Sequence, residues 1–483
     1  MNHQHPAKKL PLTDPVEVFK HPSRRVITPP TPGMSDTIGS AQIGPMPLAR
    51  RTLDLAPVPK DLPSPGQPLG WDELARLAPP ASDLANGTTN AQANLRLFGY
   101  PEHAVRVTLY RDHHAWCPYC QKVWLWLEEK RIPYRIRKVT MVCFGEKEGW
   151  YRQLVPSGKL PAIELDGRLI TESDSILEAL EQAFGVLEHG MAHPQVLPLR
   201  RLERQLFAAW CQWLCATGPD QRQDEQAGLH FDRRASAMAQ ALDATPGPFL
   251  LGKFSSADVV FVPYLERMNA SLAYYKGYRL RQRHAAIDRW FSALEQRSTY
   301  LGTQADFHTH VHDLPPQMGC CQANGSLAQR QLADRIDRGP WPIGNFMDPD
   351  PETSQPEPVD AALQGLARVL RHREPLLERY GDGSGSETDP FSTALRCVLT
   401  RLVLGWECPP PAGTAKSLRS LAQRISVPRD MSLYSARRLR QALQNTAALD
   451  PVDADVWPAP LPLNHRRDQD PLPFLRQSGM KVV

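Results

Sequence analysis

With 483 residues, 41% apolar, 22% charged and 47 prolines, the chain has the length of two to four domains, part of it outside any packed core. A net charge of +4 with no lysine or arginine run excludes an extended nucleic-acid surface. No apolar stretch approaches the roughly 18 residues of a membrane span, and MNHQHPAKKLPLTDPVEVFK carries no apolar secretory core and has Asp14 and Glu17 early, so the expected compartment is cytoplasmic.

Residues 1–100 are rich in Pro, Ser, Gly and Thr and read as a mostly disordered tail. Only WDELARLA has helical spacing, at Trp71, Leu74 and Leu77, which suits a helix that docks a partner. The pattern changes at Val105, where VRVTLY alternates as a strand. A loop, RDHHAWCPYC, leads into a helix over QKVWLWLEEKRI, and YRIRKVT follows as a second strand. GEKEGWYRQL reads as a short helix. PAIELDG and RLIT read as a hairpin turning at Asp166–Gly167. TESDSILEALEQAFG closes the unit as a helix capped by Ser173, striped by Ile176, Leu177 and Leu180, and ended by Gly185. The order β-α-β-α-β-β-α describes an α/β layer over residues 101–188, with two parallel strands and a hairpin.

Residues 195–305 read as all-helical. There FSSADVVFVPYLERM offers Ser255 and Asp258 as a capping box, and Cys211 and Cys215 share one helix face as buried thiols. Residues 306–483 form an extension. It opens with HTHVH and Cys320–Cys321, runs through a Pro/Asp/Glu linker, and becomes helical over 357–450, with segments at Val359–Tyr380, Pro390–Gly405 and Ser432–Leu449. The last segment carries a basic face of Arg437, Arg438 and Arg440.

Nine cysteines occur at no framework spacing, so in a reducing compartment a close pair points to redox or metal chemistry rather than a staple. Cys117 follows a strand and opens a helix. A thiol there meets the positive end of the helix dipole and unsatisfied N–H groups, which favour the nucleophilic thiolate. Pro118 suits the first helical turn, Lys122 adds positive charge one turn on, and Cys120 is near enough to attack a disulfide formed at Cys117. The pair therefore admits one-thiol and two-thiol cycles. Half of a zinc site, inert buried thiols, and an iron–sulfur cluster held by Cys117 with glutathione as co-ligand remain alternatives.

CPYC after a strand resembles a glutaredoxin. PSGKLPAIELDGRLITESDSI with the SSAD capping box resembles a glutathione transferase. The nearest branch is the cysteine type (omega, lambda, dehydroascorbate reductase and iota classes), and DHHAWCPYCQKVWLWLEEKRIPY with a long extension is most similar to the iota class. The resemblance covers about residues 105–305. It implies a thioredoxin-like N-terminal domain, an all-α transferase domain, glutathione as co-substrate, and a homodimer as one assembly. Cys117 and Cys120 are then catalytic, with Tyr119 beside them in the glutathione site. Pro161 matches the cis-proline of such folds, and Leu160 would pair its backbone with glutathione's cysteinyl part. Glu172 and Ser173 would hold the γ-glutamyl end, and Lys159 the glycyl carboxylate.

A cysteine where other transferases carry a stabilising hydroxyl shifts the implied chemistry from conjugation to thiol exchange. The expected function is a glutathione-dependent thiol transferase that reduces mixed disulfides or dehydroascorbate, acting on small-molecule or protein disulfides. The competing readings are a redox-sensing, non-catalytic glutathione-binding scaffold and a weak conjugating transferase. His308, His310 and His312 are expected on one strand-like face of a polar loop without metal, zinc being the alternative.

Overall fold

The computed structural model describes residues 66–216, 218, 220–343, 350, 352–381 and 389–458, all within one contact unit spanning Val58–Val483. Helix α1 (Trp71–Leu77) and strand β1 (Leu95–Arg96) come first. They are followed by β2 (Val107–Asp112), α2 (Pro118–Lys130), β3 (Tyr134–Val139), α3 (Gly149–Leu154), β4 (Ala162–Leu165), β5 (Arg168–Thr171) and α4 (Ser173–Phe184). The sheet runs β1-β3-β2-β4-β5. β2 and β3 are parallel across the α2 crossover, and the remaining pairs are antiparallel. The β4–β5 turn pairs Leu165 with Arg168, and Asp166 and Gly167 both take positive φ, 50° and 79°. That is the mirror-image turn a twisted hairpin prefers. Together these elements form the thioredoxin-like mixed sheet.

Helix α2 is buried nearly all round from Cys120 to Glu128, as expected of a helix wedged between the sheet and a second layer. Beneath it, Glu128 pairs with the Arg96 guanidinium at 2.9 Å and accepts from the Tyr134 hydroxyl at 2.7 Å. Helix α4 differs from the sequence expectation at its start. Glu172, at φ 65°, is the capping position, and Ser173 is the first helical residue. Gly185 ends the helix at φ 79°.

The second layer is helical: α5 (Val196–Cys215), α6 (Gln221–Asp243), α7 (Ser256–Lys276), α8 (Leu280–Arg283), α9 (Ala285–Leu294) and α10 (Ser298–Thr303). Asp258 accepts from the backbone and hydroxyl of Ser255 at 2.9 and 3.1 Å, closing the reciprocal cap at the start of α7. That helix is buried along almost its whole length and is the spine of the domain.

Beyond it lie α11 (Phe307–Met318), α12 (Leu327–Arg338), α13 (Ala361–Arg371), α14 (Arg373–Tyr380), α15 (Pro390–Leu404), α16 (Ala415–Arg424) and α17 (Leu433–Ala447). HTHVH is thus helical, not strand-like: Asp306 caps α11 by accepting from Thr309 N at 2.9 Å. Four-residue spacing then puts His308 and His312 on one face and turns His310 away, toward Glu266 at 3.6 Å.

The expected basic face of α17 is also corrected. Arg437 and Arg440 are buried, the first on Asp350 and Glu352, the second on Asp306, while Arg438 pairs with Glu357. The thiols Cys211 and Cys215 are half-buried rather than core. Cys215 and Cys320 exchange S–H···O=C contacts at 3.2 Å in both directions.

Residues 66–100 are ordered, which corrects the expected tail over that part; the rest of it, 1–65, lies outside the described residues. Leu69, Trp71 and Leu74 enter a second hydrophobic core made with Leu366, Phe391, Leu395, Leu399, Leu418 and Leu439. Leu69 N donates to Thr400 Oγ1 at 2.9 Å, and the Trp71 indole donates to Ser392 at 3.2 Å. The docking partner of the Trp71 helix is this chain's own extension. Among the described residues no helix is long and apolar enough to cross a membrane.

Candidate functional site

Strand β2 ends at Asp112, and the chain turns through His113–Trp116 before α2 begins. Ala115 takes a left-handed φ of 63°, and Asp112 Oδ2 accepts from Trp116 N at 2.7 Å. This tight return delivers Cys117 to the capping position of α2, with Pro118 at the first helical position. Cys120 N donates to the Cys117 sulfur at 3.4 Å. An amide and the amino end of a helix thus face the Cys117 sulfur. Burial pushes the Cys120 thiol well above its ordinary range, and its hydrogen bond to Cys117 adds to this. Cys120 is therefore a protonated thiol at neutral pH.

Asp112, which sequence reasoning passed over, completes the group. One oxygen or sulfur from each of Asp112, Cys117 and Cys120 lies within 4.8 Å of the others. The carboxylate is fully buried, and its Oδ1 has no hydrogen-bond partner among the described residues. Only its position at the end of β2, five residues before the cysteine, hinted at this. Lys147 is the near cation. Burial lowers its pKa, the Cys120 and Cys117 sulfurs oppose that, and its ammonium lies 5.3 Å from the Tyr151 ring centre. Lys122 is not the cation expected near the thiols. It is committed to Asp174 at 2.8 Å, which Arg200 also holds at 3.0 Å. Burial works against the Asp174 carboxylate, but these two cations hold it far below the usual range.

The glutathione-site candidates fall into two groups. Tyr110 pairs with Ala162, so Leu160–Pro161 lies opposite the end of β2; that peptide is cis. The Tyr151 hydroxyl donates to Lys159 O at 2.6 Å, and burial, then the sulfurs of Cys120 and Cys117, push its pKa up. Tyr151 thereby holds the Lys159–Pro161 loop within electrostatic reach of the thiols. Lys159 and Glu172 face each other at 3.5 Å, 58% and 52% exposed. Such a pair contributes about 0–1 kcal/mol, so a ligand with its own carboxylate and ammonium displaces it at little cost. Ser173 is buried at the start of α4. Tyr119 turns its ring toward Tyr264, with centroids 5.9 Å apart, in the wall between the two layers.

The loop before Cys117 is braced from three sides. Trp116 is fully buried, stacks on His114 at 4.1 Å, and gives its carbonyl to Arg267 at 2.6 Å. Its indole N–H donates to Ser426 at 2.9 Å, so the extension touches the residue next to Cys117. His113 is held neutral: burial, then Arg429 and Lys138, lower its pKa to about 3. On the far side of α2, Gln121 donates to Glu266 at 2.9 Å.

Burial pushes the Glu266 carboxyl up to about 7, with Arg267 opposing. A carboxyl raised in the folded state contributes stability that is complete below its ordinary value and lost as pH rises through about 7. The loss is on the order of 3 kcal/mol. Denaturant midpoints are expected to fall between pH 5 and 8 in the wild type and to fall much less in Glu266→Gln. Parallel curves for the two proteins would show that Glu266 does not titrate there.

Residues 116–183 match the family described as Glutathione S-transferase, N-terminal domain. The chain is 27% identical over 190 residues to Glutathione S-transferase DHAR2 of Arabidopsis thaliana, covering 39% of this chain and 84% of that one. It is 24% identical over 193 residues to Glutathione S-transferase L3 of the same plant, covering 39% and 79%. Among solved structures, glutathione transferase Omega 3C from Trametes versicolor aligns with 27% identity, 42% and 90% coverage and a TM-score of 0.36.

Proposed function

We propose that the chain, whose residues 116–183 match the Glutathione S-transferase N-terminal domain family and which is 27% identical over 190 residues to a plant glutathione transferase, is a cysteine-type, glutathione-dependent thiol transferase working mainly through a one-thiol cycle. The observation that carries this is the Cys117 sulfur at the amino end of α2 with the Cys120 amide aimed at it. In the first step the Cys117 thiolate attacks the glutathionyl sulfur of a mixed disulfide. The substrate sulfur leaves with the electron pair and takes up a proton. In the second, a glutathione thiolate attacks the same glutathionyl sulfur, which frees Cys117 and yields glutathione disulfide. Dehydroascorbate is a second substrate in the same frame, two glutathiones supplying its two electrons. Lys159, Glu172 and Ser173 hold the ends of glutathione, and Leu160 and Pro161 its middle.

Cys120 is secondary because its buried thiol must first lose a proton. Asp112 is the acceptor in reach, with an oxygen unclaimed by any hydrogen bond among the described residues. The long helical extension supports placing the chain with the iota class.

The deciding experiment is turnover of a glutathionylated peptide by Cys120→Ser. Retention of at least about half the wild-type rate is expected. A loss of about tenfold or more would establish a two-thiol cycle instead, and equal, negligible turnover by wild type and variant, with glutathione still bound, would favour the non-catalytic scaffold.

A further inference from the structure

We propose that His308, His312 and Asp337 form a zinc site, separate from the thiol centre, that ties α12 to α11. The two histidines lie four residues apart on one face of α11, their ring centres 4.8 Å apart. Asp337, from the last turn of α12, meets His312 with 2.8 Å between Nε2 and Oδ1. One donor atom from each of the three lies within 4.8 Å of the others. Two donors bound to tetrahedral zinc at about 2.0–2.2 Å stand roughly 3.3 Å apart, so modest side-chain rotations close the set. Two imidazoles and one carboxylate suit zinc over the harder magnesium and calcium ions.

The surroundings are those of a supported ligand set. The other oxygen of Asp337 accepts from the Tyr274 hydroxyl at 2.8 Å, and the Tyr274 ring stands edge-on to His312 with centroids 5.7 Å apart. Tyr274 is thus the outer hydrogen bond that fixes a ligating carboxylate. Exposure is graded, from buried His308 to 18% for His312 and 33% for Asp337. One side of the set is therefore open to solvent, for the ion to enter and for water to be the fourth ligand. On the other side Leu332, Ile336 and Trp341 line a small cavity beside His308. Two of these come from α12 and the third from the segment that follows it. Zinc here would fix the point at which the chain leaves the transferase domain for the extension.

The test uses the full chain carrying Cys117→Ser and Cys120→Ser, stripped with a chelator, so that active-site sulfur cannot bind the metal. Zinc titration is expected to give one equivalent bound with a Kd in the micromolar range or tighter. Cobalt(II) in its place is expected to show visible d–d bands without sulfur-to-cobalt charge transfer. Tyr274→Phe keeps all three ligands and is expected to weaken zinc about 10–100-fold. His312→Gln is expected to abolish binding while circular dichroism confirms the fold. Millimolar binding, a sulfur-ligated cobalt spectrum, or an affinity unchanged by both substitutions would overturn the proposal. Each readout is independent of turnover, so the result stands apart from the thiol-transfer reading.

Discussion

Replacing Cys117 with serine is expected to lower thiol-transfer turnover by about a thousandfold or more, the scale on which loss of a nucleophile acts. The fold has little reason to change, because serine is itself a favoured helix cap and accepts the same amide hydrogen bond from Cys120. Glutathione affinity should move by no more than a few-fold, since Lys159, Glu172 and Ser173 are untouched. The loss should therefore sit in kcat rather than KM. The variant also carries a hydroxyl where a glutathione thiolate would lie. Conjugation of glutathione to a small aromatic electrophile is accordingly expected to rise above the wild-type level as disulfide exchange disappears. Steady-state assays of both reactions on the two proteins check this crossover. Thiol transfer that survives in the serine variant would remove Cys117 from the mechanism.

The second large effect concerns Arg440. Its guanidinium, buried to 1% exposure, meets the equally buried Asp306 and also donates to Ile425 O at 2.9 Å. Arg440→Met keeps much of the volume but leaves Asp306 charged and buried, a change expected to cost about 3–5 kcal/mol. The pH dependence has a definite sign. Burial raises the Asp306 carboxyl, but Arg440 and the hydrogen bonds from Thr309 outweigh it and hold the group below its ordinary value. The wild-type contribution is then complete above the usual aspartate range and is lost as pH falls through the depressed value. Without Arg440 only burial and the Thr309 bonds remain, so the carboxyl takes up a proton more readily in the folded state. The destabilisation should consequently shrink between pH 7 and pH 4. Denaturant curves at the two pH values, with Arg440→Met/Asp306→Leu as the partner-free reference, measure it. A cost under about 1 kcal/mol at pH 7 would mean the pair is not what anchors α17. Because Ile425 precedes Ser426, the same variant should also loosen the brace on Trp116 and lower turnover.

What could be read from sequence was local. Alternation in VRVTLY, the turn residues Asp166–Gly167, the Pro118 start of α2 and the Ser255/Asp258 cap are each set by neighbours a few residues away, and each element forms where those signals lie. The placement of Cys117 was legible for the same reason, being defined by a strand, a turn and a helix start. Asp112, Trp116 and Ser426 were not. Their roles come from burial and from contacts such as the one joining residues 116 and 426, which no periodicity encodes. HTHVH misled because its alternation has the period of a strand, while the decisive signal was the single capping residue Asp306. The arginines of α17 read as a solvent-facing stripe because their partners, Asp350, Glu352, Glu357 and Asp306, lie 81 to 134 residues away.

The seat of α1 in the extension core also sets an order of events during synthesis. Leu69 and Thr400 are 331 residues apart, and at ~5–20 residues per second the ribosome needs roughly 17–66 s to make the second after the first. For that interval the Trp71 helix has emerged but has nowhere to bury its indole. The sheet and the α5–α10 bundle, complete by residue 303, can close in the meantime, since domains fold as units from the amino end. Helix α1, made before the sheet and the bundle, is thus among the last of the described elements to be buried, and its exposed apolar face is the one a chaperone would have to guard.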